Sequence, residues 1–154
     1  LTLSEIEVQR EGVSYTIDTL QALETLQPSA DLFLIVGIDT FKDMGSWKEP
    51  RRLLERYNVL IGTRPGHELE NHDTLVKQLC GASHIAQTGD ASRYQHRLTG
   101  KNLIFFKITP YNISSSEIRD NIRHGREIKN MLPPEVENYI MRHQLYQAES
   151  SPLV

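Results

Sequence analysis

A chain of 154 residues suits one domain with a sizeable core and is short for two. Its 38% hydrophobic and 24% charged residues, with 9 Gly and 7 Pro, describe a globular chain and exclude collagen-like, mucin-like and low-complexity architectures. A formal net charge of −3 gives no basic footprint for nucleic acid, and no apolar run approaches the roughly 20 residues of a membrane helix.

In chain order, Leu1 to Val8 alternates apolar and polar residues and predicts a strand, and a chain opening on Leu inside such a pattern predicts further sequence before it. Positions 17, 20, 23 and 26 place apolar side chains on one face of a first helix, which Pro28 ends. Residues 32 to 36, Leu-Phe-Leu-Ile-Val, are a continuous apolar run of the kind covered on both faces in a parallel sheet, followed by a loop leading to Trp47. Pro50 opens a helix with apolar positions 53, 54 and 57, and residues 57 to 62 predict the next strand. Between 67 and 100 the chain is polar; residues 72 to 80 read as helix and 87 to 101 as loop. Residues 103 to 108 predict a further strand, followed by a helix from Ser114 to about His124 and a last helix opened by Pro133-Pro134 and ending near His143. Strands alternating with helices predict one α/β domain over residues 1 to 146 with a mainly parallel sheet, and a frayed tail over 147 to 154. The single Cys80 permits neither an intrachain disulfide nor a thiolate zinc site, which suits a reducing cytoplasm.

Ligands of open parallel sheets bind beyond the carboxyl ends of the strands, and three segments fall there or in the loops that follow. Gly37-Ile38-Asp39 offers close backbone approach and a carboxylate for ribose hydroxyls, or equally a turn glycine and a solvated aspartate. Ser114 with Glu117 matches a capping box; the same helix start, with Ser116 and Arg119, would also cradle a phosphate. Trp47, the only tryptophan, has polar neighbours and reads either as a stacking platform or as a half-buried loop anchor. Other segments are read as structural. His67 and His72 are five apart, about 140° around a helix, so they do not form a zinc-protease pair. The basic stripe of Arg119, Arg123, Arg126 and Lys129 alternates with acids as on an exposed helix, and Cys80 has no cationic neighbour to activate it.

Together the segments resemble the bacterial nicotinate mononucleotide adenylyltransferases, which share the Rossmann-like, doubly wound nucleotidyltransferase fold. Residues 14 to 20, Ser-Tyr-Thr-Ile-Asp-Thr-Leu, resemble the family's S-Y-T-x-x-T-L, and residues 33 to 39 its apolar strand ending in G-x-D. Residues 62 to 66 resemble its R-P-G segment, 113 to 119 its I-S-x-T-x-I-R signature with Ser116 for threonine, and 132 to 146 its last helix and terminal L-Y. The resemblance implies transfer of AMP from ATP, carried with Mg²⁺, to nicotinate mononucleotide. It implies that Trp47 stacks on the pyridine ring, that Thr16 and the Lys48 backbone hold the carboxylate beside Tyr15, and that Gly37 and Asp39 hold ribose hydroxyls. It assigns Ile113, Ser114, Ser116 and Arg119 to the ATP phosphates, with Ser116 and Arg119 at the reaction centre, and sets Arg64 near the adenine.

The family also carries a first strand and a loop with H-x-G-H. No histidine pair here, among positions 67, 72, 84, 96, 124 and 143, has that spacing. The resemblance therefore implies a fold lacking its first strands, one open sheet edge with an uncovered apolar face, room for a homo-oligomer, and little or no turnover by this chain alone. A non-catalytic nucleotide-binding fragment and an adenylyltransferase acting on nicotinamide mononucleotide are the alternatives.

Overall fold

The computed structural model describes residues 2–63, 72–87, 90–109, 111 and 113–147. They fall into two compact units, Leu1–Pro110 and Tyr111–Val154.

The first unit is built on a five-stranded sheet. Its elements are α1 (Thr16–Leu26), β1 (Phe33–Gly37), α2 (Ile38–Asp43), a 3-10 turn (Met44–Ser46), α3 (Pro50–Arg56), β2 (Asn58–Thr63), α4 (His72–Cys80), β3 (His84–Gln87), β4 (Asp90–His96) and β5 (Asn102–Lys107). The strand order is β1-β2-β5-β4-β3. β1, β2 and β5 run parallel, with Ile35 opposite Leu60 and Leu60 opposite Ile104. β4 and β3 extend the sheet antiparallel.

One face of the sheet carries the core. Val59, Ile61, Leu103 and Phe105 meet Ile17, Phe41, Met44, Leu53, Leu54 and Val76 from the helices, all buried. Phe105 takes the edges of Phe41 and Tyr94 at centroid distances of 5.5 and 5.9 Å, a geometry aromatic pairs favour. Helix α1 is tied to α3 by Glu24, which accepts from Arg56 Nε and from the Tyr57 hydroxyl, each at 2.9 Å. Those bonds, Arg56 first, hold the Glu24 carboxyl below its ordinary pKa. At the start of the strands the buried Asn58 joins β2 to β5, its Oδ1 accepting from the Asn102 backbone N–H at 3.0 Å while its Nδ2 donates to Asp31.

Four expectations change. Residues 2 to 5 are irregular and 6 to 9 form a turn rather than a strand, with Leu3 and Val8 almost fully exposed, because among the described residues no strand pairs with their alternating pattern. The run at β1 is covered on one face only: Phe33 is 49% and Ile35 68% exposed, because β1 is the sheet's edge and the core helices cover its other face. An open edge with an uncovered apolar face was expected, and β1 is where it lies. The loop before Trp47 contains α2, whose Ile38 and Phe41 are buried. The stretch 87 to 101, read as loop, holds β4; only Tyr94 and His96 of its described side chains are buried, so a polar composition conceals a strand.

The second unit packs α5 (Ser115–Arg123) and α6 (Pro134–Arg142) around Ile118, Ile122, Ile128 and Ile140. Ile118 and Ile122 are one turn apart and share a face. Gly125, at φ +63°, ends α5: its N–H donates to the Ile122 carbonyl and that of Arg126 to Asn121, the paired bonds of a glycine-closed helix end. Pro134 occupies the first turn of α6, where its missing N–H costs nothing. Among the described residues no helix is long and apolar enough to cross a membrane.

Candidate functional site

The start of α1 and the segment after α2 enclose a pocket of about 290 Å³ lined by Ser14, Tyr15, Thr16, Ile17, Ser46, Trp47 and Lys48. The local sequence explains its open character. Tyr15, the residue before the helix, is extended at φ −106°, ψ 141°, and no side chain caps the helix. Its carbonyl accepts from the N–H groups of Asp18 and Thr19, leaving those of Thr16 and Ile17 among the helix's free donors. They carry the positive end of the helix dipole into a recess next to the Thr16 hydroxyl, a setting suited to a small carboxylate.

The opposite wall is Trp47 and Lys48. The 3-10 turn places Trp47, whose N–H donates to the Met44 carbonyl at 3.0 Å, and the indole is half-buried against the main core. It is thus the half-buried loop anchor of one reading, and it also walls the pocket. Lys48 Nζ donates to both oxygens of Asp18, at 2.8 and 3.0 Å, and lies 4.7 Å above the centroid of the Tyr15 ring. The charge of Lys48 is thereby committed to Asp18 and the Tyr15 face. The next residue, Glu49, sits at φ +49°, where a non-glycine residue is uncommon, and its carbonyl accepts from Leu53 to begin α3.

The structure thus brings Tyr15, Thr16, Trp47 and Lys48 together. Gly37 and Asp39 lie at the carboxyl end of β1 and in the first turn of α2, outside that pocket. A side chain added at Gly37 would meet nothing within 4 Å, so the backbone there is open to approach. Asp39 is largely exposed, with a loose contact to Lys42 at 3.8 Å, as the solvated-aspartate reading expects. Arg64 lies outside the described residues, as does His67; α4 begins at His72.

In the second unit Ser114 caps α5, its Oγ accepting from the Glu117 N–H at 3.1 Å. Arg119 Nη2 donates to Ser116 Oγ at 3.4 Å, setting a guanidinium and a hydroxyl side by side at the helix start. Ile113 is half-buried against the isoleucine cluster and contributes packing. Of the basic stripe, Arg126 pairs with Asp120, which also contacts His124 Nδ1 at 3.2 Å. Cys80 is buried, and burial pushes its thiol up to about 12, in keeping with an inert group.

Sequence reasoning gave no site role to Ser14, Ile17 and Ser46 of the pocket lining, nor to Asp18 beside it. Asp18 directly follows Ile17 of the pocket wall but is 30 residues from its partner Lys48, so no local pattern announces the pair.

Three parallel strands with helices between them define an open α/β fold of the kind that binds nucleotides and other small ligands. Residues 2–121 match the cytidylyltransferase-like family, and the chain belongs to it. Within that family it is 36% identical to a probable nicotinate-nucleotide adenylyltransferase of Dictyoglomus turgidum, over 94% of this chain and 62% of the relative. It is 37% identical to one of Geotalea daltonii, over 94% and 66%, and 34% identical to one of Shewanella baltica, over 94% and 67%. The resemblance read from the motifs is borne out. The chain spans roughly two thirds of these relatives' length. The fold is likewise that of a nicotinic acid mononucleotide adenylyltransferase of Plasmodium falciparum complexed with NaAD, with a TM-score of 0.61 and 20% identity over 88% of this chain and 58% of that one.

Proposed function

We propose that this chain carries the mononucleotide pocket and part of the phosphate cradle of an enzyme that transfers AMP from ATP to nicotinate mononucleotide. The observation that carries the reading is the uncapped start of α1 facing Trp47: two free N–H groups and the Thr16 hydroxyl suit a ring carboxylate, and the indole suits the pyridine face. Tyr15 and the Lys48 backbone complete the wall. Gly37 and Asp39 would hold ribose hydroxyls, and Arg64 would lie on the adenine side.

The chemistry asks for no nucleophilic side chain. The 5′-phosphate of the mononucleotide, ionised at neutral pH, attacks the α-phosphorus of ATP; the bond between the α- and β-phosphates breaks, and pyrophosphate leaves with its electron pair. Catalysis then rests on alignment and charge neutralisation. Ser114, Ser116 and Arg119, with the positive end of α5, would hold the phosphates, and Arg119 and Ser116 would stabilise the charge that develops. Among the described residues no group of three or more His, Cys, Asp or Glu side chains converges to hold a resident metal. Mg²⁺ would arrive as part of the ATP substrate and neutralise phosphate charge. On this reading the enzyme works in the cytoplasm, in keeping with its single cysteine.

Trp47 is the only tryptophan, so its emission reports on this pocket alone. Nicotinate mononucleotide should quench it saturably, and the nicotinamide form should bind at least about tenfold more weakly, since an amide NH₂ finds donors where it needs acceptors. Equal affinities would remove the assignment to the acid. Formation of nicotinate adenine dinucleotide from ATP, Mg²⁺ and the mononucleotide, followed by chromatography, tests the transfer itself.

A further inference from the structure

The first unit contains a second and larger recess, about 560 Å³, between α4 and the β3–β4 hairpin. Sheet register sets its position. β4 runs antiparallel to β5, with Tyr94 opposite Leu103 and Gln95 opposite Asn102, so His96 and Arg97 lie at the amino-terminal end of the parallel strands. Gly37 and Thr63 end the parallel strands at the opposite edge. The recess is therefore separate from the site outside the strands' carboxyl ends.

Its walls combine three chemistries. Lys77 and Arg97 are exposed cations with no carboxylate partner among the described residues. Asp73 Oδ1 accepts from the Tyr94 hydroxyl at 2.6 Å, while Oδ2 has no partner among the described residues. Burial and that bond push the Tyr94 pKa upward, so the ring stays a neutral donor that fixes the carboxylate. Val76 and Ile85 supply apolar surface. In the same wall His84 is 6% exposed, its ring 5.0 Å from that of His96.

We propose that this recess binds a nucleoside monophosphate. The phosphate is held by Lys77 and Arg97, the ribose hydroxyls donate to the free oxygen of Asp73, and the base lies on Val76 and Ile85. The volume falls within the range of small-molecule sites, and cations, a hydrogen-bond acceptor and an apolar wall are what a nucleotide's three parts require.

The test is calorimetric titration with AMP, performed in an Arg119→Ala background so that the phosphate cradle proposed on α5 does not compete. A parallel arm uses inorganic phosphate. Saturable AMP binding is expected, with phosphate alone weaker by at least about tenfold. Lys77→Ala and Arg97→Ala should each weaken AMP by about tenfold, the loss of one charge-assisted contact. Both side chains are exposed, so circular dichroism should be unchanged, and Trp47 quenching by nicotinate mononucleotide should persist. Absence of saturable AMP binding at about 1 mM overturns the proposal. So does AMP binding that survives the double Lys77→Ala, Arg97→Ala change, or phosphate binding as tight as AMP.

Discussion

Helices α1 and α5 both begin in hydroxyl-rich segments, yet they treat their first N–H groups in opposite ways. At α5 the Ser114 hydroxyl turns inward and accepts from Glu117, so the helix satisfies part of its own start. At α1 the residue in the same position is Tyr15, which has no oxygen in reach, and its ring lies instead under Lys48. The Thr16 and Ile17 donors stay open toward a pocket walled by Trp47. One helix start spends a side chain on one of its own donors, and the other spends none. A cap stabilises a helix by about 1 kcal/mol, and its absence leaves that interaction available for binding.

The largest expected effect concerns the sheet that carries α1. Burial, with a smaller push from the His96 ring 5.0 Å away, lowers the His84 pKa to about 4 from an ordinary 6.5. A histidine held neutral in the folded state contributes stability that is complete above its unfolded pKa and lost as the pH falls from about 6.5 toward 4. The loss is about 3 kcal/mol, one unit being worth 1.36. Urea unfolding at pH 7 and near pH 4 should register it, and His84→Gln should flatten the profile. If the variant keeps the full acid sensitivity, the histidine is not its source.

Thr16→Pro isolates the open donors. Proline is tolerated at the first helical position, and Tyr15 already has the extended backbone that proline demands of its predecessor. Helicity should be unchanged, while affinity for nicotinate mononucleotide falls by about 100-fold through loss of an N–H and a hydroxyl. Unchanged affinity would mean the carboxylate does not sit at α1.

A reciprocal pair of substitutions exchanges the two behaviours. Ser114→Ala should cost about 1 kcal/mol in the unfolding of the second unit, whereas Tyr15→Asp should add up to about 1 kcal/mol by capping α1 and at the same time abolish quenching of Trp47 by the acid. A gain in stability with undiminished binding would refute the link between the missing cap and the ligand. Asp18→Asn should have the smallest effect. The Asp18–Lys48 pair is about one-third exposed, so its stability contribution is below about 1 kcal/mol, and the change should appear chiefly as a modest loss of affinity as Lys48 leaves the Tyr15 face.

Much was legible in order along the chain. Periodicity located α1, α3, α4, α5 and α6 and the three parallel strands to within a residue or two, and the serine before α5 announced its cap, because helix stripes and capping residues are local properties. The motifs also marked Tyr15, Thr16, Trp47 and Lys48 as members of one site. Nothing in the run at residues 32 to 36 told that β1 is an edge rather than a centre, since an apolar pentapeptide reads the same in both places. β4 went unread because its burial rests on Tyr94 and His96, and the Tyr94 hydroxyl finds its acceptor, Asp73, only once α4 lies beside the strand. The sequence by itself determined where five of the helices and the three parallel strands form and to which family the chain belongs. Tertiary structure alone decided which strand lies at the open edge, which lysine is bound to Asp18, and which polar groups line a second recess, because each depends on residues brought together from distant parts of the chain.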